Sequence, residues 1–305
     1  MITEKTVLIL GAGASADYGY PLGRALIISI YENLAEGRAL YKQLLQCNFQ
    51  PQLIKQFRTD LRECNLPSID AFLENRNEFE KIGKAAIAAT LICHEVLEYL
   101  SRQGWYEYLH SRLIGRKEEF QANKLVVVTF NYDRSFEASL FLALQKSYNL
   151  TDSECADYVS KIPIIHVYGQ LGELPYLSEN GRPYSSQVDQ GVISQSVRGI
   201  KIVHEGAEDT SEFLHAQEEI SQAKVVCCLG FGYHPENVKR LNLSQTLRGS
   251  PKKKVYLSAY GLTLRQTEKL KARIFPDGIS GSIHIEFGRH DHNVLDFLRE
   301  TAALE

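Results

Sequence analysis

Val7-Leu8-Ile9-Leu10-Gly11-Ala12-Gly13-Ala14-Ser15 is an apolar run that stops in a Gly-x-Gly turn and a hydroxyl. A buried parallel strand that feeds a helix in this way presents backbone N–H groups to an anion. Gly11 and Gly13 carry no Cβ, so a diphosphate can approach their main chain closely. With Ala16 the spacing satisfies Gly-x-Gly-x-x-Gly/Ala, the dinucleotide fingerprint. That match alone does not separate a nucleotide site from a tight strand-to-helix turn without a ligand.

The residues that follow narrow the choice. A hydride-transferring enzyme of this type places its second strand within about 30 residues of the first and ends it in an acid for the adenosine ribose. Here residues 24–36 read as a helix, and Glu32 and Glu36 fall inside that helical pattern rather than at a strand end. A dehydrogenase is disfavoured.

Apolar, β-branched runs recur at 6–10, 125–130, 162–167, 224–229, 254–258 and 283–287, with a weaker one at 200–203. Helical periodicity lies between them at 133–147, 209–222, 263–273 and 291–302. Continuous apolar strands are covered on both faces. The expected fold is therefore α/β, a doubly wound, Rossmann-like parallel sheet of about six strands in a single domain spanning 1–305. Residues 24–122 show only helical periodicity, at 39–47, 51–63, 68–80 and 80–103, and are expected to form a helical insertion between the first and second strands. It either lids the cleft or serves assembly. Residues 172–199, rich in Gly, Ser, Gln and Pro-Tyr, read as a long mobile loop.

Composition bounds the function. With 34 Lys and Arg against 37 Asp and Glu, the net charge of −3 gives no basic excess, and no direct nucleic-acid binding is expected. Lys252-Lys253-Lys254 reads as a solvated strand entry. No apolar run approaches 18 residues and no charged leader precedes the first strand, so a cytoplasmic protein without membrane contact is expected. The six cysteines include no C-x-x-C pair, which argues against a zinc ribbon. His284, His290 and His292 more simply mark a strand end than a metal site, and no metal is expected.

Ligands of open α/β sheets bind beyond the carboxyl ends of the strands. There the second strand delivers Thr129-Phe130-Asn131-Tyr132-Asp133, and the third His166-Val167-Tyr168-Gly169. Each residue has a structural account: Asn131 or Asp133 as a helix N-cap, His166 as a satisfied core histidine. Their convergence on one rim with the glycine turn makes a site the stronger reading.

Gly-Ala-Gly-Ala-Ser at 11–15, Thr-Phe-Asn-Tyr-Asp at 129–133, His-Val-Tyr-Gly at 166–169 and Leu-Gly-Phe-Gly-Tyr at 229–233 occur in the order of a sirtuin signature. The chain resembles the sirtuin superfamily, in particular its divergent, zinc-free bacterial SIR2-like branch. The resemblance implies that Gly11, Ala12, Gly13 and Ser15 hold the NAD diphosphate and its flanking ribose, with Pro21 nearby. Asn131 would orient the reacting ribose and a water, Asp133 would lie near the carboxamide, and His166 would be the general base. Gly230, Phe231 and Gly232 would contact the adenosine side, with Asn237 and Ser258 as further candidates. Departures are equally plain. No cysteine lies in 172–223, where the deacetylases carry a zinc module, and the substrate-facing segment has become Gly19-Tyr20-Pro21-Leu22-Gly23-Arg24.

The branch implies hydrolysis of NAD, as substrate, to nicotinamide and ADP-ribose, in an oligomeric effector of bacterial anti-phage defence. Family association implies gating by a separate partner, such as a HerA-like ATPase or an Argonaute-type protein. A non-catalytic NAD or ADP-ribose sensor and a zinc-independent NAD-dependent protein deacylase are the alternatives.

Overall fold

The computed structural model describes residues 1–202, 210–248, 252–278 and 283–305. Six strands, β1 (Thr6–Leu10), β2 (Leu125–Thr129), β3 (Ile164–His166), β4 (Val225–Leu229), β5 (Lys253–Leu257) and β6 (Ile283–Phe287), form one sheet in the order β3-β2-β1-β4-β5-β6. Every pairing is parallel. This is the doubly wound order, and the direction of winding reverses beside β1. β1, β2 and β4 are buried at every position, as expected of strands covered on both faces. Cys227 and Cys228 are free thiols within β4 and act as small core residues.

Between β1 and β2 the chain is helical: α1 (Ala12–Ser15), α2 (Gly23–Asn33), α3 (Ala39–Gln46), α4 (Pro51–Glu63), α5 (Ile69–Asn75), α6 (Glu80–Ile92), α7 (Leu97–Leu100) and α8 (Trp105–Leu113). Phe57, Phe72 and Phe79 pack together with ring centroids 5.5 to 6.1 Å apart, giving this layer its own apolar centre. The remaining helices are α9 (Ser135–Tyr148), α10 (Asp152–Ser160), α11 (Gln190–Val197), α12 (Ser211–Gln222), α13 (Pro235–Arg240), α14 (Leu243–Thr246), α15 (Leu264–Ile274) and α16 (Val294–Thr301).

Three local expectations are corrected. The helix expected over 80–103 stops at Ile92, because Glu95 turns inward to meet Arg134 and Arg182, and Val96 is extended. The segment 172–199 is not a free loop: Arg182 is buried in that same cluster, and α11 is capped by Asp189, whose side chain accepts from the Val192 N–H at 2.8 Å. Lys253 is not solvated. It is buried, and its ammonium donates to the carbonyls of Ile220, Ser221 and Thr246 at 2.7, 3.0 and 3.0 Å, two of them in the last turn of α12. Of the weak strand at 200–203, Ile200 forms a single antiparallel bridge with Gly169, and residue 203 lies outside the described residues, as does 209, the first residue of the helix expected at 209–222.

Candidate functional site

A cleft of about 680 Å3 opens at the carboxyl ends of the strands and touches the segment after each of them, from Tyr168 beyond β3 to Asn293 beyond β6. Five inter-strand spacings of about 4.8 Å make it roughly 24 Å long, the scale of an extended dinucleotide rather than of a single ring. The helical layer roofs it: Leu22, Gly23 and Arg24 at the start of α2 and Asp70, Ala71 and Glu74 of α5 are on its wall. Part of this layer therefore covers the cleft.

Gly11, Ala12, Gly13, Asn131, Gly230, Phe231, Gly232, Asn237 and Ser258 all line the cleft. The glycines, however, serve first a contact between two turns. The Gly11 N–H donates to the Leu229 carbonyl at 3.1 Å and the Gly13 N–H to the Gly230 carbonyl at 3.0 Å. A Cβ on Gly11 would stand 2.6 Å from the Gly230 oxygen, and one on Gly13 would stand 2.7 Å from the Gly230 Cα. Both amides that a diphosphate was expected to use are thus spent on the β4 turn. The Ala12 N–H, at the first turn of α1, has no protein acceptor among the described residues.

Asn131 is the hinge of the site. Its side-chain amide donates to the Gly11 carbonyl and to Ser15 Oγ, each at 3.0 Å, which ties the tip of β2 to the tip of β1. A carbonyl only accepts, so the contact with Gly11 fixes which way the amide points. Its Oδ1 has no protein donor among the described residues and is left for a water or a sugar hydroxyl.

Ser15, Pro21, Asp133 and His166 stand off the cleft wall. The Asp133 carboxylate accepts from the backbone N–H and the hydroxyl of Ser135, the first residue of α9, whose N-cap position is taken by Arg134 and not by Asp133. Burial pushes it up despite the hydrogen bonds from Ser135 and Ser15. His166 sits behind Asn131. Its Nδ1 donates to the Asn131 carbonyl at 3.0 Å, and its Nε2 is 2.6 Å from Glu137 Oε1, with both side chains almost closed to solvent. Burial pulls the imidazole down, but the charge and hydrogen bond of Glu137, helped by the Asn131 carbonyl and Asp133, more than reverse it, and the group lies above the usual histidine value.

Several residues of the site were not anticipated. Tyr132 donates to Asp70, so the motif at 129–133 also anchors the roof. Burial raises the Asp70 carboxyl in spite of this bond. Arg240 pairs with Glu74 at 3.0 Å and donates to the Tyr168 hydroxyl at 2.7 Å, and Tyr168 in turn donates to Asn237 at 2.8 Å. Asp70 follows the N-cap Ser68, where an acid reads as ordinary helix capping, so nothing in the sequence marked it. Glu137 was legible, as a carboxylate on the same helical stripe as Leu140, Phe141 and Leu144, all buried.

Among the described residues no group of three or more His, Cys, Asp or Glu is placed to hold a metal ion, and no helix is long and apolar enough to cross a membrane. No protein-family model matches the chain, and no curated protein matches it significantly.

Proposed function

We propose that this chain hydrolyses NAD to nicotinamide and ADP-ribose. The observation that carries the reading is the Asn131 amide bridging Gly11 and Ser15, with its acceptor oxygen free beside a cleft long enough for a dinucleotide. Order along the sheet gives the substrate a direction. The diphosphate lies over the turns after β1 and β4, the nicotinamide riboside over Asn131, and the adenosine over Ser258 and Asn293.

Nicotinamide in NAD is a cation, and the bond from its ring nitrogen to C1′ of the ribose breaks with both electrons going to that nitrogen. The leaving group departs neutral without needing an acid. Positive charge then develops on the ribose beside the Asn131 Oδ1 acceptor, while the carboxylates of the roof are engaged, Asp70 by Tyr132 and Glu74 by Arg240. A water held by Asn131 Oδ1 adds to C1′ through its oxygen and releases its proton to solvent water in the cleft, completing ADP-ribose. His166 holds the Asn131 backbone in place through Nδ1, and Glu137 holds His166. In this arrangement it is a positioning residue.

The role in anti-phage defence, with an oligomer gated by a separate partner, rests on the family resemblance. The test is to incubate the full chain with NAD, alone and with candidate partners, and follow nicotinamide. Release that Asn131→Ala lowers by roughly 10²–10³-fold supports the reading, whereas release unchanged in that variant overturns it. A second reading, an NAD or ADP-ribose sensor without turnover, is favoured by one observation: both ring nitrogens of His166 are engaged within the protein. Binding by calorimetry with no nicotinamide under any condition identifies it.

A further inference from the structure

A second cavity, of about 370 Å3, lies between α8 and α9 and is bounded by the connection from α7 to α8. It shares no lining residue with the main cleft. Its volume is at the lower end of the roughly 300–1,000 Å3 of small-molecule sites.

Its lining combines two chemistries. Leu100, Ile114, Leu142 and Ala143 make an apolar floor. Around it stand Arg102 and Lys146, neither of which forms an ion pair among the described residues, and the hydroxyls of Ser139 and Ser147, while the Ser111 hydroxyl donates to the Tyr108 carbonyl at 2.7 Å. Glu107 is the one carboxylate on this wall, so the lining carries a net positive charge. His110 also lines it. The Nε2 of this histidine is closed to solvent and has no hydrogen-bond partner among the described residues, and burial pulls the group down to about 4. An imidazole nitrogen left unsatisfied in this way carries a desolvation cost that nothing in the protein offsets.

The helix that forms one wall also holds the glycine turn. Trp105 Nε1 donates to the Ala14 carbonyl at 2.6 Å, and the Tyr106 N–H donates to the Tyr18 hydroxyl at 2.8 Å. The Tyr106 hydroxyl meets Ser135 Oγ at 2.7 Å, and the Ser135 hydroxyl donates to Asp133. His110 lies one helical turn beyond Tyr106, with the rings stacked 6.3 Å apart. Arg102, from the cavity wall, donates to the carbonyl of Asp17, a residue that lines the main cleft.

We propose that the cavity between α8 and α9 is a second ligand site, for a small phosphate monoester with an apolar body, and that its occupancy is transmitted through α8 to the glycine turn. The two cations and the hydroxyls of Ser139 and Ser147 match the phosphate oxygens, and the apolar floor takes the ester group. The binding half stands on this cavity alone, and the transmission to catalysis rests on the NAD reading.

Phenyl phosphate is the probe, titrated into the full chain by calorimetry and by the emission of Trp105, the only tryptophan and a residue of α8. Saturable binding is expected, with affinity at least about tenfold lower in Lys146→Glu and in Arg102→Ala, and weaker for inorganic phosphate, which has no apolar body. Saturating NAD is not expected to displace it. No binding, binding unchanged in both variants, or full displacement by NAD overturns the site. Where the chain releases nicotinamide, phenyl phosphate changes the rate in the natural sequence and not in Lys146→Glu; an unchanged rate overturns the transmission. A chain that binds phenyl phosphate in this way but never releases nicotinamide loses the NAD reading and keeps the second site.

Discussion

Glu95 and Arg134 meet as a bidentate pair closed to solvent on both sides, Nη2 to Oε2 at 2.7 Å and Nε to Oε1 at 3.0 Å. Arg182 adds a second guanidinium to the same carboxylate at 2.7 Å, and Arg134 donates further to the carbonyls of Glu173, Arg182 and Pro183. The cluster joins three parts of the chain: the helical layer, the connection that follows Asn131 and Asp133, and the segment before α11. Removing one partner of such a pair leaves an uncompensated buried charge. Glu95→Gln is expected to destabilise the protein by about 3–5 kcal/mol in denaturant unfolding. A loss below about 1 kcal/mol would mean that the guanidinium groups reach water.

The docking of the two glycine turns gives a sharper test of packing. A Cβ on Gly230, where φ is +57°, would stand 2.1 Å from the Ala14 nitrogen, while one on Gly232 meets nothing within 4 Å. Gly230→Ala is expected to cost at least about 2 kcal/mol, and Gly232→Ala less than about 1. Paired thermal melts compare them directly; equal losses would show that the turn relaxes freely.

For the reaction, Asn131→Ala removes the group that bridges the strand tips and offers Oδ1 to the cleft. Nicotinamide release is expected to fall by roughly 10²–10³-fold with the fold retained. Circular dichroism and product chromatography on the same sample check both halves.

Glu137→Gln isolates what holds His166. Without the carboxylate charge, burial dominates, and the imidazole is expected to drop below its usual value, read by NMR titration. In the natural chain the raised value contributes stability that is fully present below about pH 6.5 and is lost as pH rises through the folded value. The variant loses that dependence.

His110 acts with the opposite sign. Its folded value of about 4 lies below the 6.5 of an unperturbed histidine, so the unfolded chain binds the extra proton between these values. Stability from this group is full above about pH 6.5 and falls as pH drops toward 4, by roughly 3 kcal/mol at the acid limit. His110→Phe, which keeps the stack on Tyr106, is expected to flatten the acid side of the pH–stability curve. A curve with unchanged slope would mean that the histidine is charged in the folded state.

How much of this was legible follows from range. The strand tips were readable because β-branched runs and turn residues act locally, and β1 and β6 fall at the residues expected, 6–10 and 283–287. Asn131 was readable because it follows such a tip. The end of α6 was not, since Glu95 leaves the helix for arginines 39 and 87 residues away. Lys253 looked like one of three surface lysines until α12 and α14 supplied its carbonyl partners.

By itself the sequence determined the parallel α/β sheet, the helical segment between its first two strands and the rim on which Gly11, Asn131 and His166 meet. Those properties follow from side-chain periodicity and backbone freedom, which are written residue by residue. Only the tertiary structure decided that the glycine amides bond to the β4 turn, that His166 stands behind Asn131 against Glu137, and that α5 roofs the cleft. Each depends on groups far apart in the chain being desolvated together, and the energy of a buried charge or a shared hydrogen bond exists only once both partners are in place.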